Sequence, residues 1–184
     1  LAKNYSNQLE ELSKRSVGMS HASYNFNNGQ YALAIDAATP VAAYRPDLLD
    51  NIPSNINDVI LLAEKNKVLW PLNPVFCITY FNSIAANWGI PINTPEKHFI
   101  DKQIGIEILI LMKKLTKLLP QECLKMDPIQ TLDFMSENDD KIYSPMLYGY
   151  VNYSREGFRK NRIKFDDMPS FDTSSKINCK GSQI

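Results

Sequence analysis

Apolar residues recur along this chain with two distinct periods. Over residues 54–64, Ile56, Val59, Ile60 and Ala63 fall at helical spacing, which predicts a capped amphipathic helix. Pro74 can open a second helix; residues 76–88 are apolar at the same spacing, and Gly89 stands where such a helix can end on a left-handed residue. The longest apolar stretch, residues 104–119, is introduced by Thr94-Pro95-Glu96 and closed by Pro120, and is expected to be a buried helix at the centre of the core. Asp127 and Pro128 supply an N-cap and first helical position for a helix reaching Ser136. Short extended segments are expected at residues 31–35, 41–44, 67–70 and 163–165, and the aromatic run 143–153 should be extended throughout. Strands alternating with helices predict an α/β layered domain.

Composition narrows the function more than the fold. A chain of 184 residues suffices for one ordinary domain or most of one lobe of something larger, and 44% hydrophobic with 22% charged residues excludes disorder. Twenty basic residues balance twenty acidic ones, with no basic run, which argues against a nucleic-acid partner. Glu107, Lys113, Lys114 and Lys117 break the longest apolar stretch well short of the ~20 residues a bilayer span needs. The chain opens on Leu1 and closes on a polar segment, so it is expected to be a piece of a longer protein. Cys77, Cys123 and Cys179, with His21 and His98, have neither metal-ligand nor disulfide spacing, so no metal and no cofactor is expected. Cys77 reads as a small buried hydrophobe. Glycine-rich phosphate loops and a G-x-S-x-G nucleophile elbow are both missing from the sequence.

What stands out is aromatic residues beside hydrogen-bonding groups. Sugar recognition needs apolar ring faces stacked on Trp or Tyr, with amides and carboxylates taking several hydroxyls. Trp70 with Asn73 fits, as does the run Tyr148, Gly149, Tyr150, Val151, Asn152 and Tyr153. If that run is a strand, Tyr148, Tyr150 and Asn152 share one face, and Gly149 lets a ligand or neighbouring backbone approach closely. The competing reading is that the tyrosines simply pack on a helix, and that Asp36 is a turn or cap carboxylate.

At these residues the sequence resembles family 1 extracellular solute-binding proteins of ABC importers. Gly29-Gln30-Tyr31-Ala32-Leu33-Ala34-Ile35-Asp36, followed by Tyr44-Arg45-Pro46-Asp47-Leu48-Leu49, is similar to the family's "G-x-x-Y-A-L-P-x-D" leading to "Y-N/R-x-D-L-L". Trp70-Pro71-Leu72-Asn73-Pro74 resembles its ligand-contact loop, and Ala86-Asn87-Trp88-Gly89 its "A-A-N-x-G" ending. The chain departs from the pattern at Ala34, where Pro is usual, at Asn57-Asp58, where Trp-Glu is usual, and at Asn73, where many relatives carry a charge.

The resemblance implies a periplasmic-binding-protein-like, type II, two-lobe α/β fold, here mainly the second lobe plus both hinge crossings. Residues 1–35 would be a remnant of the first lobe with the first hinge strand, 36–162 the second lobe, and 163–184 the second crossing returning to the first lobe. It further implies a periplasmic or extracellular receptor, with or without a lipid anchor and monomeric at full length, that binds a sugar or polyol through Asp36, Trp70, Asn73, Tyr148, Gly149 and Tyr150. The receptor would deliver its solute to ABC permease membrane subunits and would not be an enzyme. The alternative is a carbohydrate-active hydrolase with Asp36 as catalytic carboxylate and Asp166 or Asp167 as its partner.

Overall fold

The computed structural model describes residues 5–36, 38–90, 92 and 99–171. They fall in two compact units, one running through Ala38 and the other beginning at Thr39.

The first unit holds a helix α1 (Ser6–Arg15) and a hairpin of β1 (Asn25–Phe26) and β2 (Gly29–Gln30). The hairpin turns through Asn27 and Asn28, at φ of 48° and 60°. Two successive left-handed residues are what a tight two-residue hairpin turn requires, and Asn tolerates that conformation better than most side chains. Tyr31 still donates its N–H to the Tyr24 carbonyl at 3.0 Å, but the strand expected over residues 31–35 does not form. No strand among the described residues pairs with that segment, and Ile35 is fully exposed. Residue type alone does not hold a strand without a partner for its backbone groups.

The second unit is built on an antiparallel sheet of β3 (Pro40–Tyr44), β4 (Tyr143–Tyr148) and β5 (Lys164–Asp166), in the order β4-β3-β5. Pro40 faces Tyr148 and Tyr44 faces Tyr143, with a bulge between Val41 and Ala43; on the other side Ala43 faces Phe165. Proline is tolerated at the first position of a strand, where its missing N–H costs least. Residues 67–70 run beside β4 without forming a strand: Leu69 donates to the Tyr143 carbonyl at 3.0 Å, and Val68 and Tyr143 make a single parallel bridge.

The same unit holds four helices among the described residues: α2 (Ile56–Glu64), α3 (Pro74–Asn87), α4 (Lys102–Thr116) and α5 (Pro128–Glu137). Each begins on a polar cap, Asn55, Asn73, Asp101 and Asp127 respectively, whose side-chain oxygen accepts first-turn N–H groups; Gln130 reciprocates with Asp127 in a capping box. Helix α3 ends as its sequence implies. Gly89 sits at φ 77°, its N–H donates to the Ala86 carbonyl, and that of Ile90 donates to the Ala85 carbonyl, both at 2.9 Å. Those paired bonds satisfy carbonyls the helix end would otherwise leave open.

Helix α4 does not occupy the centre of the core. Gly105, Ile108, Met112 and Leu115 are buried, whereas Ile106, Leu109 and Ile110 are exposed. It packs one stripe against α3 and leaves the rest to solvent. Helix α3 is the deeper element, burying Tyr80, Phe81, Ile84 and Ala85. The Thr94-Pro95-Glu96 start signal and Cys179 lie outside the described residues.

Two polar devices lock this core. Asn87 accepts the Phe171 N–H at 2.8 Å while the Trp88 indole donates to the Phe171 carbonyl at 3.1 Å, which fixes the Phe171 ring against Trp70. Arg45 is 1% exposed, and all five of its guanidinium N–H groups are used. It grips both Asp47 oxygens at 2.8 and 2.7 Å, Asp139 at 2.9 Å, and the carbonyls of Met135 and Asn138 at 2.9 and 2.8 Å. Asp47, hydrogen-bonded to that guanidinium, is held below the usual carboxylate range, and Arg45 is correspondingly raised by Asp47.

Candidate functional site

Chemistry-bearing aromatics gather where α3 begins and β4 ends. Asn73 caps α3 by accepting the Val75 N–H at 3.2 Å, and Pro74 takes the first helical position, where no N–H is needed. One turn further in, Phe76 and Tyr80 lie four residues apart on the same helix face, with ring centroids 6.5 Å apart. Phe76 also meets Tyr148 edge-on at 6.0 Å. Tyr80 is fully buried, and burial first, then Tyr148, Cys77 and Tyr150, push its phenol well above the ordinary tyrosine value. The corner therefore grades from buried Tyr80, through half-buried Phe76 and Tyr148, to Tyr150 at 43% exposure. Neither the Tyr148 nor the Tyr150 hydroxyl is hydrogen-bonded to another described residue, and the Asn73 Nδ2 is equally uncommitted.

Of the residues named from sequence, Asn73 and Tyr148 are linked here through Phe76, whose N–H donates to the Asn73 carbonyl and whose ring meets Tyr148, and Tyr150 follows Tyr148 by two residues. Trp70 does not join them as a ligand surface: it is 0% exposed, with its ring 5.4 Å from Tyr80 and 6.4 Å from Phe171, so it is a core residue. The Trp70 Nε1 and the Tyr80 hydroxyl are both buried without a protein partner. Gly149 is exposed but closely approached by protein side chains. A Cβ there would lie 3.0 Å from Val41 Cγ2 and 3.5 Å from the Phe165 ring, so side chains of the neighbouring strands fill the space expected for a ligand.

The aromatic run is not extended to its end. β4 stops at Tyr148, and residues Val151–Ser154 curl into a 3-10 turn, with the Tyr153 N–H on the Tyr150 carbonyl at 3.0 Å. The turn removes the alternation that would have set Asn152 beside Tyr150. Tyr153 turns inward and donates to Asp133 at 2.7 Å; burial and that bond push its phenol up to about 12.

Asp36 is exposed and belongs to the first unit, whereas Asp166 and Asp167, its partners in the hydrolase reading, belong to the second. Cys77 is half-buried rather than buried; its S–H donates to the Leu72 carbonyl at 3.1 Å, and burial raises the thiol, which leaves little reactive thiolate. Phe76 and Tyr80 were not singled out from the sequence, although their four-residue spacing just inside a capped helix carried the signal. Among the described residues no group of three or more His, Cys, Asp or Glu could hold a metal ion, and no helix is long and apolar enough to cross a membrane.

No family model matches the sequence, and none of the curated proteins matches it. Solved structures do resemble the fold. The maltose-bound MalE3 protein of T. maritima superposes with a TM-score of 0.73 over 92% of this chain and 48% of its own, at 14% identity. A cyclo/maltodextrin-binding protein complexed with maltotetraose gives 0.64 over 89% of this chain and 44% of its own, at 13% identity. The chain thus spans about half the length of those two proteins. At such identity the likeness is one of fold: this chain shares the α/β fold of part of these binding proteins, as the resemblance implied.

Proposed function

We propose that this chain belongs to a receptor that captures a small carbohydrate-like solute in a cleft between two lobes and delivers it, chemically unchanged, to the membrane subunits of an ABC-type permease. The observation that carries this reading is the likeness in fold to two sugar-loaded binding proteins over nine-tenths of the chain. The aromatic corner gives it a chemical rationale. Tyr150 and Tyr148 offer ring faces for the C–H surface of a pyranose, and their free hydroxyls with the Asn73 amide offer donors and acceptors for its hydroxyls. Tyr150 is the stacking residue of this site and Asn73 its orienting amide. In this reading the receptor works outside the cytoplasmic membrane as a monomer.

The test is a titration of the full-length protein that carries this chain with maltose and maltotetraose, followed by analysis of the recovered sugar; the isolated chain, mainly one lobe in this reading, is expected to bind poorly. The reading expects saturable binding, weakened in Tyr150→Ala, with every glycosidic bond intact. Release of shorter sugars, abolished by Asp36→Asn, would establish the hydrolase instead.

A further inference from the structure

Beyond the 3-10 turn, the chain forms a surface cleft of about 410 Å³ whose lining is dominated by charge: Arg155, Arg159, Lys160 and Arg162, with Asp47 and Glu156. Two of these groups are already satisfied elsewhere. Asp47 is engaged through both oxygens by Arg45. Arg159 donates to Asp133 at 2.8 Å and lies over the Phe158 ring at 4.7 Å and the Tyr153 ring at 5.5 Å. Of the rest, Lys160 has only a long 3.5 Å bond to the Glu137 carbonyl, and Arg155 and Arg162 have no side-chain hydrogen bond or ion pair among the described residues. Three available cations therefore face one uncompensated carboxylate, Glu156, in a chain whose net charge is zero.

The walls of this cleft are anchored. The Asn161 backbone N–H and side-chain amide both donate to the Ser136 carbonyl, at 3.1 and 3.0 Å, and the Ile163 N–H donates to Tyr153 at 2.9 Å. Guanidinium groups offer paired donors that match an oxyanion, and an anion bound between two of them neutralises charge that is otherwise mutually repulsive. A cavity of a few hundred Å³ has the size of a small-molecule site.

We propose that Arg155, Arg162 and Lys160 form a binding site for a phosphate-ester group, separate from the aromatic corner and independent of the solute-receptor reading. Calorimetric titrations with inorganic phosphate and glycerol phosphate, and sedimentation with phosphatidylglycerol or phosphatidylcholine vesicles, would be run on the parent chain, on the Arg155→Gln/Arg162→Gln double variant and on Tyr150→Ala. The exposed positions should leave folding intact, as an unchanged melting temperature would show. The proposal expects phosphate-ester binding that weakens with salt, falls by on the order of tenfold or more in the double variant, and is unchanged in Tyr150→Ala. Binding of the soluble probes assigns the site to a soluble ester; binding only of phosphatidylglycerol vesicles, lost in the double variant, assigns it to a lipid headgroup. No binding in either arm, or equal binding by the double variant and the parent, would overturn it.

Discussion

Trp70 and Tyr150 have the same credentials in the sequence, each an aromatic ring beside a hydrogen-bonding residue at the end of an element, yet they end in opposite environments. Trp70 is sealed between Tyr80 and Phe171, whereas Tyr150 stands 43% exposed just past the end of β4. What separates them is what lies above each. The Trp70 segment runs between β4 and the first turn of α3, and Phe171, pinned by Asn87 and Trp88, closes over it. After Tyr148 the chain leaves the sheet for a 3-10 turn, and Tyr153, not Tyr150, is drawn inward by Asp133. An aromatic residue thus is sealed in the core or left accessible according to tertiary cover, which neighbouring sequence does not reveal.

The largest expected effect lies on the buried side of this comparison. Trp70→Ala should cost about 3–5 kcal/mol, because the surrounding rings cannot collapse fully into the space. A loss under about 1 kcal/mol in urea denaturation would mean that Trp70 is not a core residue. Next comes Arg45→Met, which leaves the Met135 and Asn138 carbonyls without donors. The carboxylates of Asp47 and Asp139 remain solvated, so the expected loss is about 2–3 kcal/mol, below that for a fully buried pair.

That network also sets an acid response. Asp47 lies below its ordinary value of 3.8, so its contribution is present above that pH and is lost as pH falls through the depressed value. Asp47→Asn should therefore narrow the gap to the parent in thermal melts taken at decreasing pH, and a gap that widened in acid would contradict the pairing.

Gly149→Ala should cost about 1 kcal/mol, since its Cβ needs Val41 Cγ2 to retreat from 3.0 Å. If Gly149 served ligand approach alone, stability would not change. Tyr150→Ala marks the other end of the comparison, with stability expected to stay within about 0.5 kcal/mol of the parent.

How much of this was legible depended on the range of the physical cause. The Asp127 cap, Pro74 and the Gly89 terminus act within a few residues, and each appears where its chemistry requires. The burial of α4 did not follow from its apolar run, because only contact with α3 decides which stripe is covered. Residues 31–35 had strand-like composition but no partner among the described residues. At the corner where α3 begins and β4 ends, Asn73, Tyr148 and Tyr150 were singled out from sequence as aromatic and amide residues at element ends. Phe76 joins them only because a helix turn and a strand end converge, which is a long-range fact. Gly149 was noticed for the right reason, close approach, but the approaching groups are Val41 and Phe165 of the protein itself.

The most direct test is to follow maltotetraose titrations of the full-length parent protein and its Tyr150→Ala variant by NMR, with thermal melts of both. The account predicts that the sugar perturbs Tyr148, Tyr150 and Phe76 in the parent, that these perturbations vanish in the variant, and that the two proteins melt together. Sugar-induced shifts that survive in Tyr150→Ala, or that map away from the start of α3 and the end of β4, would contradict it.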